Sequence, residues 1–216
     1  MSVWRVVTVA CVLFAAVCGL NACSSIQDSY IHCDAALAGS YGAFVEPRVP
    51  FDFKDGADSV AISGHKFIGS PIPSGVIITK KSNRDRIAKG VSYIGSFDTT
   101  ITGSRNGHSP LFLWYALKRM GVEGLRQRFQ NSLEVAAYCE KRLNAIGIPA
   151  WRNPNAITIV FPKVHDSIIS KWQLATQETI SHIICMPNVT KEQIDHLILD
   201  IQNCEEVVEN EYEFSF

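Results

Sequence analysis

Asp58-Ser-Val-Ala-Ile-Ser-Gly-His-Lys66-Phe-Ile-Gly69 is the stretch from which the fold can be read. Val60, Ala61 and Ile62 form a short run of β-branched and small residues, which predicts a buried strand. Ser63 and Gly64 close the run, and His65 and Lys66 stand at its exit. Lysine rarely occupies such surroundings unless it is paired or chemically used. Burial disfavours the ammonium, and a lysine whose amine is uncharged is the residue type that condenses with an aldehyde. A solvated His-Lys surface pair is the plainer reading, and a second feature is needed to decide.

That feature is Tyr30-Ile-His-Cys-Asp34-Ala-Ala36-Leu37, an apolar strand pattern that ends on a carboxylate followed by two alanines. Asp34 could cap a turn or a following helix. It could also face a cofactor, with the small residues letting a flat ring approach the backbone. Pyridoxal phosphate requires such a pair: a lysine to hold its aldehyde and an Asp to keep its ring nitrogen protonated. The separation, 66 − 34 = 32 residues, is enough for a connection and a second strand that return both side chains to one end of a sheet.

These motifs, together with Thr102-Gly-Ser-Arg-Asn-Gly-His108-Ser-Pro-Leu-Phe-Leu-Trp114, resemble the group II pyridoxal-phosphate-dependent amino-acid decarboxylases. Ala150-Trp-Arg-Asn-Pro-Asn-Ala-Ile-Thr-Ile-Val-Phe-Pro162 resembles the bacterial histidine decarboxylases. Lys171-Trp-Gln-Leu-Ala175 and Met186-Pro-Asn-Val-Thr190 are equally similar to the plant serine decarboxylases. The likeness runs from about Tyr30 to about Asn203.

The resemblance implies an α/β fold, part of an aspartate-aminotransferase-like (fold type I) large domain over residues 26–147, then a small α/β domain over 148–204. Lys66 would carry the Schiff base and Asp34 would pair with the ring nitrogen. The methyl group of Ala36 would pack on the ring, and Ser63 and His65 would offer donors to the phosphate oxygens. Tyr93, in Gly90-Val-Ser-Tyr-Ile-Gly-Ser-Phe97, falls where the group carries a catalytic loop, and would act as the general acid after carbon dioxide leaves. A packed aromatic is the alternative for Tyr93. The implied reaction is decarboxylation of L-histidine to histamine, with L-serine as the second substrate. A homo-oligomer, most simply a dimer, is expected, and no metal is called for.

Members of the group are longer. Their N-terminal half supplies the phosphate loop, the histidine that stacks on the ring and most of the carboxylate pocket, none of which has a counterpart before Asp34. Three readings therefore stand side by side. The chain is a decarboxylase subunit that needs the other half, a silent fragment that binds cofactor weakly or pairs with a full-length partner, or an exported binding module. The third rests on residues 1–25, where Arg5 precedes an apolar run from Val6 to Leu20 and Leu20-Asn-Ala-Cys23 resembles a lipoprotein cleavage site. The run is shorter than the about 20 residues of a spanning helix. A non-homologous start is the alternative reading of this segment.

Charged residues make up 19% of the chain and the formal net charge is −1, which leaves no basic field for nucleic acid. Seven cysteines are scattered without a Cys-x-x-Cys pair. That pattern predicts reduced thiols and a cytoplasmic compartment, with membrane attachment only if residues 1–23 act as a signal or anchor.

Further along, Val76–Thr79 reads as a strand and Lys80–Arg86 as exposed. A helix over Pro110–Met120 stops at Gly121, and a second runs over Val122–Ala145 with Leu125, Phe129, Leu133, Ala136, Ala137 and Leu143 inward. Strands at Ala156–Phe161 and His182–Met186, helices at Asp166–Gln177 and Lys191–Asn203, and an acidic tail over 205–216 complete the chain. His165, His182 and His196 read as packing or surface residues rather than cofactor contacts.

Overall fold

The structure, a computed structural model, describes residues 6–10, 29–100 and 103–213, with side chains over 29–100 and 103–204. The chain divides into two compact units, Met1–Arg126 and Gln127–Phe216.

The first unit is built on a sheet of β1 (Val6–Ala10), β2 (Tyr30–Asp34), β3 (Ser59–Ser63) and β4 (Gly75–Thr79), in that spatial order. The first three are parallel and β4 runs antiparallel to β3. β1 lies within the stretch read from sequence as signal-like; the rest of residues 1–25, Cys11, Cys18 and Cys23 included, falls outside the described residues. Alternation along β2 buries Cys33 against Ala35, Ala57 and Val60, with Phe51 and Ile62 packed on them, and leaves Asp34 exposed.

A parallel pair cannot be closed by a tight hairpin. Residues 35–58 make the crossover from β2 to β3 through three 3-10 turns, at Ala38–Ser40, Gly42–Phe44 and Phe53–Asp55. Asp52 caps the last of these by accepting the Lys54 N–H at 2.7 Å. Arg48 forks onto Asp55, Nη1 to Oδ1 at 2.8 Å and Nη2 to Oδ2 at 2.7 Å. The same carboxylate accepts the Phe51 and Asp52 amides. With Arg48 as the main cause, the Asp55 pKa falls to about 2.

Asp58 ties three strands together at the opposite end of the sheet. Its carboxylate accepts the Ile31 N–H at 3.0 Å and the Lys80 ammonium at 2.8 Å, and its carbonyl accepts the Thr79 hydroxyl at 3.0 Å. Partial burial alone would raise its pKa; the Lys80 and Ile31 hydrogen bonds outweigh that and hold it below the ordinary value.

Beyond β4, the polar run expected to be exposed is a short exposed helix, α1 (Lys81–Ile87). A hairpin of β5 (Lys89–Val91) and β6 (Ser96–Asp98) follows. Helix α2 (His108–Ala145) is broken where the sequence predicts, at Gly121, whose φ of 61° and ψ of −171° are not helical. The unit boundary therefore falls inside the second half of α2, not at the residue 147/148 division expected from sequence. The reason is packing: Ala136, Cys139 and Leu143 of α2 bury themselves in the core of the second unit. Ala137, expected inward, is exposed.

The second unit contains an antiparallel sheet of β7 (Thr158–Pro162), β9 (Ile180–Ile184) and β8 (Ala175–Gln177), in that order, with α3 (Asp166–Trp172) and α4 (Lys191–Glu213). α3 ends sooner than its expected limit of Gln177, because Gln173 takes a left-handed conformation and the chain turns into β8. α4 continues past Asn203 to Glu213, so most of the expected acidic tail is helical. Its Ile194, Leu197, Ile198 and Ile201 recur at helical spacing and close over Ile159 and Phe161 of β7. Burying side chains of this size stabilises by about 1.5–3 kcal/mol each, whereas the exposed Lys171–Asp200 ion pair adds little.

The Asp55 carboxyl titrates below its ordinary value of 3.8, so it contributes stability above that value and loses it as pH falls towards about 2. Urea titrations of the protein and Asp55→Asn should show a stability gap that is full near neutrality and closes across that window. A gap that persists at the acid end would rule out a charge-dependent fork. Cys139 and Cys185 have no exposed surface, and hydrogen bonding to Cys185, then burial, pushes the Cys139 thiol up. Iodoacetamide should therefore alkylate half-exposed Cys204 in the folded protein and reach Cys139 and Cys185 only after denaturation, as read by peptide mass spectrometry.

Candidate active site

Parallel pairing brings the ends of β2 and β3 to one edge of the sheet. Asp34, the last residue of β2, lies in register with Ala61 of β3. The ladder runs on past it: the Ala35 N–H donates to Ala61 O and the Ser63 N–H to Ala36 O, each at 3.0 Å. Asp34, Ala36 and Ser63 are thus held together at the carboxyl ends of adjacent parallel strands. Open α/β sheets place their ligands at that edge. Asp34 is exposed, and its Oδ1 accepts the Ala36 N–H at 3.1 Å, which fixes the carboxylate.

Lys66 follows β3 by three residues and sits in the turn over residues 64–68. Its neighbour Phe67 is fully buried against Tyr41, ring centroids 4.8 Å apart, and Ile68 is buried too. Burial of Tyr41 drives its phenol pKa up, so the pair behaves as an apolar anchor. Three backbone bonds lock the turn: Gly69 N–H to Lys66 O, Ser70 N–H to Gly64 O, and Gly64 N–H to Ser74 O. Gly64 makes a close approach here: a Cβ would stand 2.4 Å from Leu113 Cδ2 and 2.5 Å from Ser74 Oγ, so either side chain would have to shift to admit one.

The turn presents Lys66 to solvent, and no carboxylate pairs with it among the described residues. The buried setting expected for this lysine is therefore absent; burial falls on Phe67 instead. His65 is exposed beside it, and its Nδ1 accepts the Ser74 N–H at 3.1 Å. Ser63 is half-buried.

Tyr93 occupies a 3-10 turn, Ser92–Ile94, at the tip of the β5–β6 hairpin, where it is 90% exposed. Gly95, at φ 64°, completes the tip. No contact among the described residues brings Tyr93 to Asp34 or Lys66. The other histidines of this unit have local duties: His32 bonds to Ser59 Oγ at 2.6 Å and His108 to Asn106. In the second unit His165 caps α3 through the Ser167 N–H. No group of three or more His, Cys, Asp or Glu that could hold a metal occurs among the described residues. No described helix is long and apolar enough to cross a membrane.

Two contributors escaped the sequence reading: the Tyr41–Phe67 anchor and the Ser74 amide. Pro71-Ile-Pro73-Ser-Gly75 carries turn-forming residues, but they do not reveal that the segment folds back on His65.

An outward amine, a fixed carboxylate, a small methyl group and a hydroxyl thus share one sheet edge. The pyridoxal-dependent decarboxylase conserved domain matches residues 7–150. Histidine decarboxylase of Mesorhizobium japonicum is 51% identical over 178 residues, covering 82% of this chain and 48% of its own length. Serine decarboxylase 3 of Oryza sativa subsp. japonica is 46% identical over 178 residues, covering 82% of this chain and 40% of its own. The solved structure of L-methionine decarboxylase from Streptomyces sp. 590 superposes with a TM-score of 0.73 at 31% identity, over 80% of this chain and 42% of that one. The chain spans about half the length of the curated histidine decarboxylase it matches. By these likenesses, the chain belongs to the pyridoxal-dependent decarboxylase family.

Proposed function

We propose that this chain carries the cofactor-holding residues of a pyridoxal-phosphate-dependent decarboxylase that converts L-histidine to histamine and carbon dioxide. The observation that supports the reading most is the placement of Asp34 and the Lys66 turn at the carboxyl ends of adjacent parallel strands. The residues fit the cofactor: the amine is unpaired with any described carboxylate, the carboxylate is held by one oxygen only, and Ala36 leaves room for a flat ring.

When bound, pyridoxal phosphate supplies an aldehyde for an amine and a ring that takes up the electron pair left as a carboxylate departs. Lys66 Nζ would hold the aldehyde carbon, and the Asp34 carboxylate would keep a proton on the ring nitrogen. Ser63 and His65 would donate to phosphate oxygens. Tyr93, exposed at its hairpin tip, would be the residue to supply a proton to the substrate carbon. The remaining half of the family's length brings the ring-stacking histidine and the carboxylate pocket, so the activity is that of an assembled enzyme, and a dimer is the simplest assembly.

L-Serine is the second substrate, favoured by the comparable identity of the rice serine enzyme. A cytoplasmic setting is supported by Cys139, Cys185 and Cys204, which are thiols rather than disulfides.

Borohydride treatment of the chain with pyridoxal phosphate should leave a covalent adduct on Lys66, and Lys66→Ala should abolish it; an adduct of full yield in the variant would displace Lys66 from this role. Paired with the complementary half of a histidine decarboxylase, the chain should release carbon dioxide from L-histidine faster than from L-serine. Asp34→Ala should lower that rate by orders of magnitude, and Tyr93→Phe should lower kcat about a hundredfold or more while sparing KM. Carbon dioxide from neither amino acid would sink the decarboxylase reading.

A further inference from the structure

We propose that the backbone amide of Ser74 sets the tautomer of His65, holding the imidazole with its proton on Nε2 as an outward donor. A neutral imidazole has one N–H and one lone pair, and whichever nitrogen accepts a hydrogen bond leaves the proton on the other. His65 Nδ1 lies 3.1 Å from both the amide nitrogen and the carbonyl oxygen of Ser74. The two contacts demand opposite tautomers. The amide decides, because its hydrogen points at Nδ1 and would meet any hydrogen placed there. The carbonyl accepts the Gly64 N–H at 2.9 Å and so is satisfied without a proton on Nδ1.

The arrangement is rigid from both sides. Pro71 and Pro73 restrict the incoming backbone, and β4 begins at Gly75, directly opposite Ser63. Gly64 lets the two segments approach closely: a Cβ there would stand 2.5 Å from Ser74 Oγ. The hydroxyl of Ser74 takes no part: its Oγ is buried and makes no hydrogen bond among the described residues. Ser74 is therefore a positioning residue that acts through its main chain.

The consequence rests on the proposed cofactor. A phosphate oxygen needs donors, and an Nε2 that carries its proton attracts it where a lone pair would repel it. Fixing the tautomer in advance spares the site that reorganisation on binding.

The test is nitrogen-15 NMR of the full chain labelled at histidine, at a pH where imidazoles are neutral, with the His65 signals identified by their loss in His65→Gln. The expected spectrum shows an unprotonated Nδ1 and a protonated Nε2, unchanged in Ser74→Ala. Ser74→Pro, which lacks the amide hydrogen, should show mixed tautomers and hold pyridoxal phosphate on the order of tenfold less tightly, the loss expected for one charge-assisted hydrogen bond. A proton on Nδ1 in the unaltered chain would overturn the proposal, and that spectrum decides even if the proline variant fails to fold. Mixed tautomers with undiminished cofactor retention would overturn the phosphate role. Because the spectrum needs no cofactor, failure of the chain to bind pyridoxal phosphate would count against the proposed function and leave the tautomer assignment intact.

Discussion

The parallel pairing of β2 with β3 is the constraint on which the site depends. A hairpin would have put the end of one strand beside the start of the next, and Asp34 would have lain far from the turn that carries Lys66. Parallel alignment obliges the chain to return the length of the sheet between the strands. It does so here without a long helix, through a crossover of 3-10 turns whose last is held by Arg48 on Asp55. Asp58 then fixes the starting ends by gripping Ile31, Lys80 and Thr79. With that end pinned, the residues at the opposite end, Asp34, Ala36 and Ser63, have little freedom in where they emerge.

The turn after β3 solves a different problem, which is to present an amine outward from a firmly held backbone. Its solution is to bury the neighbour instead. Phe67 against Tyr41 anchors the turn in apolar surroundings, while Lys66 escapes burial. The backbone bonds among Gly64, Lys66, Gly69, Ser70 and Ser74 hold the geometry without using any of the side chains assigned to the cofactor. Structural and chemical duties are thereby divided between residues adjacent in sequence. The second unit shows a plainer economy: its stability rests on the apolar faces of α2 and α4 closing over β7, and its histidine at the start of α3 serves as a cap.

Much of this was legible in the order of residues. The break at Gly121, the strands around Val60, Val76 and Ile159, and a helix starting at Lys191 were all expected from residue type and periodicity. Failures clustered where two local patterns were both acceptable. Asp166 to Gln177 could be one helix, yet Gln173 turns left-handed and a strand begins at Ala175 because β9 offers it a partner. The acidic run after Cys204 read as a solvated tail, yet the backbone continues as helix to Glu213.

The sequence by itself determined the chemistry available: a lysine after a short strand, an aspartate before two alanines, a serine and a histidine between them in order, and motifs that resemble those of a known family. Only the tertiary structure decided who neighbours whom. Lys66 is exposed although its strand is not, because burial depends on Tyr41, a residue 25 positions away. His65 is oriented by Ser74 and Gly64 is hemmed in by Leu113, contacts that no local pattern encodes. The physical reason is that periodicity and residue type report one segment's own preference, whereas burial and hydrogen-bond partners are properties of pairs that the chain brings together only when it folds.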